Sequence, residues 1–139
     1  MERMDFQMRA TGYVLLFSAL FMSEASTKEI TTIAGDWKCE YSARHETDRT
    51  RASSMWFSVT LKDDGSYDGN GKSIAAGISS PSRMFGEWQF ADGTLTLTGH
   101  TNGPFGKLPF RFQADDQSDG ELRREWTKKQ MIQSTRCSR

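Results

Sequence analysis

Two cysteines, Cys39 and Cys137, impose the strongest constraint on how this 139-residue chain can fold. They are the only cysteines present, so in an oxidising compartment they are expected to form a disulfide. The bond would enclose residues 39 through 137, and the chain-entropy model assigns a loop of that size about 4–5 kcal/mol of stabilisation. A disulfide holds its two Cα atoms within about 7 Å of each other. The segments around Cys39 and Cys137 must therefore be neighbours in the fold.

Alternation of apolar and polar side chains with a period of two predicts an all-β fold. The alternation is clear at 37–41, 55–61, 84–90, 94–98 and 108–113, and weaker at 122–126 and 131–137. Glycine-containing turn signals separate most of these segments, at 63–65, 91–93, 102–104 and 118–120. A further short strand is expected at 66–70, followed by a Gly- and Ser-rich loop from Gly71 to Ser82. We therefore predict seven or eight short strands joined mostly by hairpins.

The cysteines favour closure of this meander into a ring. An open sheet leaves two edge strands exposed, and closure removes both edges. Because Cys39 lies in the first strand and Cys137 in the last, we predict a small antiparallel up-and-down barrel closed by one disulfide. The alternative is a β-sandwich with the same bond. In the barrel, facing residue numbers sum to 176, which places Trp37 opposite Arg139 and Tyr41 opposite Thr135.

The first 25 residues differ in character from the rest of the chain. Ala10–Met22 carries no charge over thirteen residues, which suits the apolar region of a signal peptide and is too short for a helix that spans a bilayer. Small residues, Ser23 and Ala25, occupy the positions that a signal peptidase inspects. We predict a signal peptide at 1–25, cleavage after Ala25, and a single barrel domain at 26–139. The expected location is secreted or periplasmic, without a membrane span after cleavage. Retention of the segment as an anchor, or its burial as a core helix, is the alternative.

The charge balance and the histidines exclude several classes of function. Residues 26–139 hold 16 Lys and Arg against 15 Asp and Glu, which argues against a nucleic-acid partner. His45 and His100 are the only histidines, and neither has the neighbours of a nucleophilic or metal-binding motif. We predict a monomer without catalytic residues, metal or cofactor.

The alternating pattern defines a set of inward-facing side chains that fill the barrel or line a ligand site within it. The candidate lining residues are Trp37, Tyr41, Met55, Phe57, Met84, Trp88, Phe90, Phe110, Phe112 and Trp126, with Leu108 among the other inward positions. Barrels of this size are either filled by side chains or hold one small ligand. Arg124 shares inward parity with Leu122 and Trp126. That placement predicts either an anionic ligand group beside Arg124 or a bulge that turns it outward.

Gly35-Asp36-Trp37 resembles the Gly-x-Trp that opens the first strand of lipocalin-like (calycin) barrels. The resemblance implies that Trp37 closes one end of the barrel and packs under an arginine near the end of the last strand, here Arg139 or Arg136. It also implies a non-enzymatic binding protein whose partner is a small hydrophobic molecule.

A second function is compatible with the same sequence. A secreted or periplasmic protein-binding module, such as a protease or lysozyme inhibitor, would act through loops on a filled barrel. The candidate loops are Arg44–Ser53 and Gly71–Arg83, and the outward-facing Trp56 adds an exposed aromatic side chain. A purely structural envelope protein is the third alternative. The interior volume separates the first two, since a carrier needs a cavity of at least a few hundred Å³.

Overall fold

Eight β-strands make up most of residues 33–139, which are the residues that the computed structural model describes. The predicted signal peptide and its cleavage after Ala25 lie outside the described residues. The strands are β1 (Gly35–His45), β2 (Ala52–Leu61), β3 (Ser66–Ala75), β4 (Ile78–Ala91), β5 (Thr94–Gly103), β6 (Gly106–Asp116), β7 (Leu122–Lys128) and β8 (Met131–Ser138).

Each strand pairs antiparallel with its neighbours in sequence, and β8 pairs with β1 to close the ring. This closed barrel excludes the β-sandwich alternative. Cys39 and Cys137 form the predicted disulfide, with Cα atoms 4.1 Å apart. The predicted register is also confirmed, because Tyr41 faces Thr135 along the same ladder. The disulfide thus links the first strand to the last across the seam of the ring.

The up-and-down topology gives the barrel two different ends. The hairpin end carries the turns at 46–51, 76–77, 104–105 and 129–130. The closed end carries the turns at 62–65, 92–93 and 117–121, together with Arg139.

Apolar side chains fill the closed half and the middle of the barrel. The largest of the fully buried side chains are Leu61, Tyr67, Met84, Leu95, Leu97, Leu122 and Cys137. Two tryptophans anchor this core through their indole nitrogens, since Trp37 donates to the carbonyl of Ile33 and Trp88 to that of Lys62. The Arg139 guanidinium lies 4.4 Å from the ring centre of Trp37. The predicted Trp37–Arg139 pair is therefore present, with Arg139 rather than Arg136 as the partner.

The predicted loop from Gly71 to Ser82 is wrong, because this segment is the β3–β4 hairpin. The strands run to Ala75 and from Ile78, and only Ala76 and Gly77 form the turn, both with positive φ. A side chain at Gly71 would overlap the backbone of the neighbouring strand β2. Glycine here permits close approach of two strands, and it removed the apolar alternation on which the prediction depended.

Leu108 also departs from expectation. It is 52 % exposed, because it lies near the start of β6 at the hairpin end, where the interior is open.

Candidate functional site

The junction between β6 and β7 is the weakest in the ring. Only two residue pairs join these strands, Asp115 with Arg123 and Asp116 with Leu122. The neighbouring ladder between β5 and β6 instead continues along the strands to Gly103 and Gly106 at the hairpin end. Beyond the two pairs, β6 and β7 separate and open the side of the barrel toward the hairpin end.

A recess of about 760 Å³ occupies this opening. Its volume lies within the range of roughly 300–1,000 Å³ that small-molecule sites occupy. We call it the β6–β7 recess. Its lining residues are Tyr41, Arg111, Phe112, Gln113, Asp115, Arg124, Glu125, Trp126, Lys128, Gln133 and Thr135.

Arg124 bridges the two separating strands at the edge of the recess. Its Nε and Nη2 each donate to a different carboxylate oxygen of Asp115 at 2.9 Å, and its Nη1 donates to Oε1 of Gln113 at 2.8 Å. The hydrogen bond from Arg124, together with one from Thr94, holds the pKa of Asp115 below its ordinary value, although desolvation opposes them. Asp115 in turn raises the pKa of Arg124. Arg124 is therefore paired across the gap, and neither an anionic ligand nor a bulge is needed to explain its inward parity.

Aromatic side chains form the apolar wall of the recess. Phe112 is buried and packs edge-on against Phe57, with ring centres 5.2 Å apart. Trp126 is half-buried on β7. Tyr41 lies on β1 and donates from its hydroxyl to Oε1 of Gln133 at 2.9 Å. Partial burial raises the pKa of Tyr41.

Only three of the ten predicted lining residues reach this recess: Tyr41, Phe112 and Trp126. Four others are buried in the filled core, namely Trp37, Phe57, Met84 and Trp88. The remaining three, Met55, Phe90 and Phe110, are partly buried and pack against that core. The structure thus places seven of the ten predicted lining residues in or against the core, where they pack with other side chains and do not line the recess.

Sequence reasoning gave Arg124 and Thr135 inward parity, but it did not identify Gln113, Asp115 or Gln133 as residues that line a site. Gln133 and Thr135 have inward parity on β8, beside Cys137, and polar residues at such positions are a signal of a wet or open interior. The Thr135 hydroxyl donates to the backbone carbonyl of Gln113 on β6. This bond spans the gap and satisfies one acceptor of the unpaired edge.

The two histidines lie outside the recess. Nδ1 of His45 accepts hydrogen bonds from the backbone amides of Thr47 and Asp48. His100 lies beside Phe85, with ring centres 6.2 Å apart. Both therefore belong to local structure, His45 at the end of strand β1 and His100 on strand β5.

A second recess, of about 400 Å³, lies on the outer surface beside Trp56. Trp56 faces Glu40 on one neighbouring strand and Lys72 on the other. It is 46 % exposed, so an aromatic ring stands among charged side chains on this face.

Within residues 33–139, no group of three or more His, Cys, Asp or Glu side chains is placed to hold a metal ion. The same residues contain no helix of the length and apolarity that crossing a bilayer requires. No protein-family model matches the chain, and a search of curated proteins finds no match either.

Proposed function

We propose that this is an exported binding protein that holds a small amphipathic molecule in the β6–β7 recess. The observation that carries the proposal is the two-pair junction between β6 and β7, which opens the barrel wall beside three aromatic side chains. The disulfide supports export, because such bonds persist in oxidising compartments.

The lining of the recess suggests the chemistry of the ligand. The rings of Tyr41, Phe112 and Trp126 suit an apolar or aromatic body. Three cationic side chains line the recess against two carboxylates, namely Arg111, Arg124, Lys128, Asp115 and Glu125. Since the Arg124 and Asp115 charges compensate each other, the cations of Arg111 and Lys128 outnumber the remaining carboxylate of Glu125. An anionic or strongly accepting group on the ligand fits this end of the recess.

In a hollow lipocalin-like barrel the ligand would lie at the barrel centre, whereas this proposal places it in a recess at the side. The closed half is packed with side chains less than 2 % exposed, so a molecule at the barrel centre would have to displace the core. A ligand in the lateral recess needs no such displacement. We retain the carrier function that the lipocalin-like resemblance implies and assign it to the side of the barrel.

A protein-binding module is the second candidate, and the β1–β2 turn favours it. Asp48 accepts hydrogen bonds from the amide and hydroxyl of Thr50, and the Glu46 amide donates to the carbonyl of Gln130 on the adjacent turn. These bonds organise the turn before any partner arrives, which lowers the entropy cost of binding. The other proposed binding loop, Gly71–Arg83, is a regular hairpin and supports this function less.

The binding proposal is tested with 8-anilinonaphthalene-1-sulfonate, a probe that has an aromatic body and one anionic group. The four tryptophans give separate indole N–H signals in ¹H–¹⁵N NMR spectra. We expect the Trp126 signal to shift on titration while those of Trp37 and Trp88, both bonded to backbone carbonyls, stay in place. Trp126→Ala is expected to weaken probe binding at least tenfold, as loss of a buried aromatic contact of about 1.4 kcal/mol or more requires.

Trp56→Ala is the matched control, since it removes an exposed tryptophan from the outer surface. It should leave the affinity for the probe within twofold of the original. Equal loss of binding in both variants, or shifts confined to Trp56, would contradict the recess as the site. Shifts confined to Trp56 would favour the protein-binding alternative.

A further inference from the structure

Two neighbouring hairpin tips expose large apolar side chains at one end of the barrel. Phe105, in the β5–β6 turn, is 82 % exposed, and Ile78, beside the β3–β4 turn, is 67 % exposed. Pro81 and Pro104 line a small recess of about 130 Å³ together with Phe105 and Leu108, so the two hairpins lie side by side. Single exposed apolar residues are common, but a cluster at adjacent tips marks an interaction surface.

The charged side chains are distributed unevenly between the two ends of the barrel. The hairpin half, made up of 41–56, 71–84, 99–111 and 125–134, holds nine Lys and Arg against three Asp and Glu. The rest of residues 33–139 holds six Lys and Arg against eleven Asp and Glu. The hairpin end is therefore strongly positive and the closed end strongly negative, although the whole chain is neutral.

The two hairpins that carry the apolar tips bear positive charge and no carboxylates. Residues 69–86 and 93–114, which form these two hairpins, contain no Asp or Glu. Their basic side chains are all exposed: Lys72, Arg83, Lys107 and Arg111. Among residues 33–139, none of these four takes part in an ion pair. Lys107 lies 5.7 Å from the ring centre of Phe85 on the outer face of β4, which places cationic and aromatic groups directly behind the tips.

We propose that the hairpin end docks peripherally on an anionic phospholipid membrane. Ile78 and Phe105 would enter the interface between headgroups and acyl chains, and the four basic side chains would face the lipid phosphates. Charge complementarity selects an anionic partner, and the apolar tips select one that has an accessible apolar layer. A nucleic acid or another soluble polyanion would use the cations and leave Ile78 exposed to water. This proposal goes beyond ligand binding in the β6–β7 recess and does not depend on it.

The test measures flotation of the purified full chain with phosphatidylcholine vesicles that either contain or lack phosphatidylglycerol. We expect stronger binding to the anionic vesicles than to the neutral ones, by a difference that shrinks as salt is added because the Debye length shortens. Replacing Lys107 or Arg83 by Gln should weaken binding about fivefold each. Phe105→Ser should weaken it roughly tenfold through the loss of apolar burial.

Two matched variants control for general effects. Lys38→Gln and Lys62→Gln each remove an exposed cation from the closed half. Both should bind vesicles as the original chain does. All variants share the apolar segment Ala10–Met22, so any contribution of that segment is common to them. Because Phe105 and Ile78 are exposed and do not pack in the core, neither Phe105→Ser nor Ile78→Ser should change the thermal unfolding midpoint.

A second measurement reports insertion directly. In the Phe105→Trp variant, the added fluorescence should be quenched by brominated acyl chains in anionic vesicles, whereas the summed emission of the four tryptophans in the original chain should be quenched far less. Equal binding to neutral vesicles, equal losses in the control variants, or absence of quenching would overturn the proposal. A soluble polyanion is the competing interpretation. If heparin binds through the four cations and displaces the protein from the vesicles completely, and if Phe105→Ser does not weaken vesicle binding, the membrane proposal is also overturned.

Discussion

Arg124 on β7 holds Asp115 on β6 through two nitrogen–oxygen contacts of 2.9 Å, beside the last residue pair that joins these strands. A third bond runs from Arg124 to Gln113, which lies two residues before Asp115 on β6 and therefore further into the gap. The guanidinium thus replaces the backbone ladder where the ladder ends. It spans the opening and forms one edge of the β6–β7 recess.

A double-mutant cycle on Arg124→Gln and Asp115→Asn should give a coupling free energy of about 0.5–1 kcal/mol. Both side chains are about one-third exposed, so solvent screens the charges, whereas the two-pronged geometry places the coupling near the upper end for surface pairs. Urea unfolding of the four proteins measures it. A coupling indistinguishable from zero would mean that the contact does not hold the strands together.

The same coupling should depend on pH. Because Arg124 lowers the pKa of Asp115 in the folded state, the unfolded state takes up the proton first as the solution is acidified. The contribution is therefore complete above the ordinary pKa of 3.8 and is lost as the pH falls through the lower folded-state value. Asp115→Asn should flatten this part of the stability profile. An unchanged acid limb in Asp115→Asn would contradict the assignment.

Removing the disulfide should lower the free energy of unfolding by about 4–5 kcal/mol, since Cys39 and Cys137 are 98 positions apart. The measurement is denaturant unfolding of the protein in which both cysteines are replaced by serine. Reductant should destabilise the original chain by a similar amount and leave this variant unaffected. A loss below about 1 kcal/mol would indicate that the ladder between β1 and β8 already closes the ring without covalent help.

Tyr67→Phe should leave the protein equally stable or stabilise it by up to about 1 kcal/mol. The Tyr67 side chain is 2 % exposed, and its hydroxyl has no hydrogen-bond partner among the described residues. Removing such a group relieves a desolvation cost. Tyr41→Phe is the contrasting variant, because it breaks a bond to Gln133 and should cost about 1 kcal/mol. A large loss in Tyr67→Phe would show that its hydroxyl is satisfied in solution.

Burial also raises the pKa of Tyr67 to about 12. The folded state then resists ionisation of this phenol more than the unfolded state, so stability is complete below pH 10 and falls as the pH rises toward 12. Ultraviolet titration of the folded protein should contain a late phenolate phase that Tyr67→Phe removes. A folded protein whose tyrosines all ionise near pH 10 would refute this burial.

Gly86→Ala should destabilise the protein by about 2–3 kcal/mol. Gly86 faces Gly99 on the next strand, and a Cβ at Gly86 would overlap the backbone of Thr98 and Gly99. Gly65→Ala is the comparison, since nothing lies within 4 Å of its added Cβ and only its positive φ of +87° is unfavourable. That change should cost about 1 kcal/mol. Thermal and urea unfolding of both variants test the ranking, and equal costs would remove the close approach of β4 and β5 as the cause.

The alternating pattern and the two cysteines were sufficient to predict the barrel and its closing register. Inward parity follows directly once Cys39 is placed opposite Cys137, and Tyr41 then has to face Thr135. The β3–β4 hairpin was missed because its inward positions include Gly71 and Ser82, which carry no apolar signal. At Gly71 a small residue is required because strands β2 and β3 approach each other closely. That approach depends on the shape of the whole ring.

The recess was predicted only in part, for a different physical reason. Phe112 and Trp126 have clear inward parity, but parity does not reveal whether two adjacent strands remain paired along their length. The separation of β6 from β7 becomes apparent only when the backbone pairing of the two strands is known. Distances between strands, unlike alternation along one strand, leave no local pattern in the sequence.

The ring closure has a further consequence for the order in which the strands can be connected. Arg139 donates to the backbone carbonyl of Ala34 at 3.3 Å, so the beginning of β1 and the end of β8 meet at the closed end. A short linker between these points, combined with a break at the turn of Ala76 and Gly77, would yield a circular permutant in which every strand keeps both neighbours. The fold is thus a cycle of eight strands, and the pairing of those strands does not depend on which of them comes first in the chain.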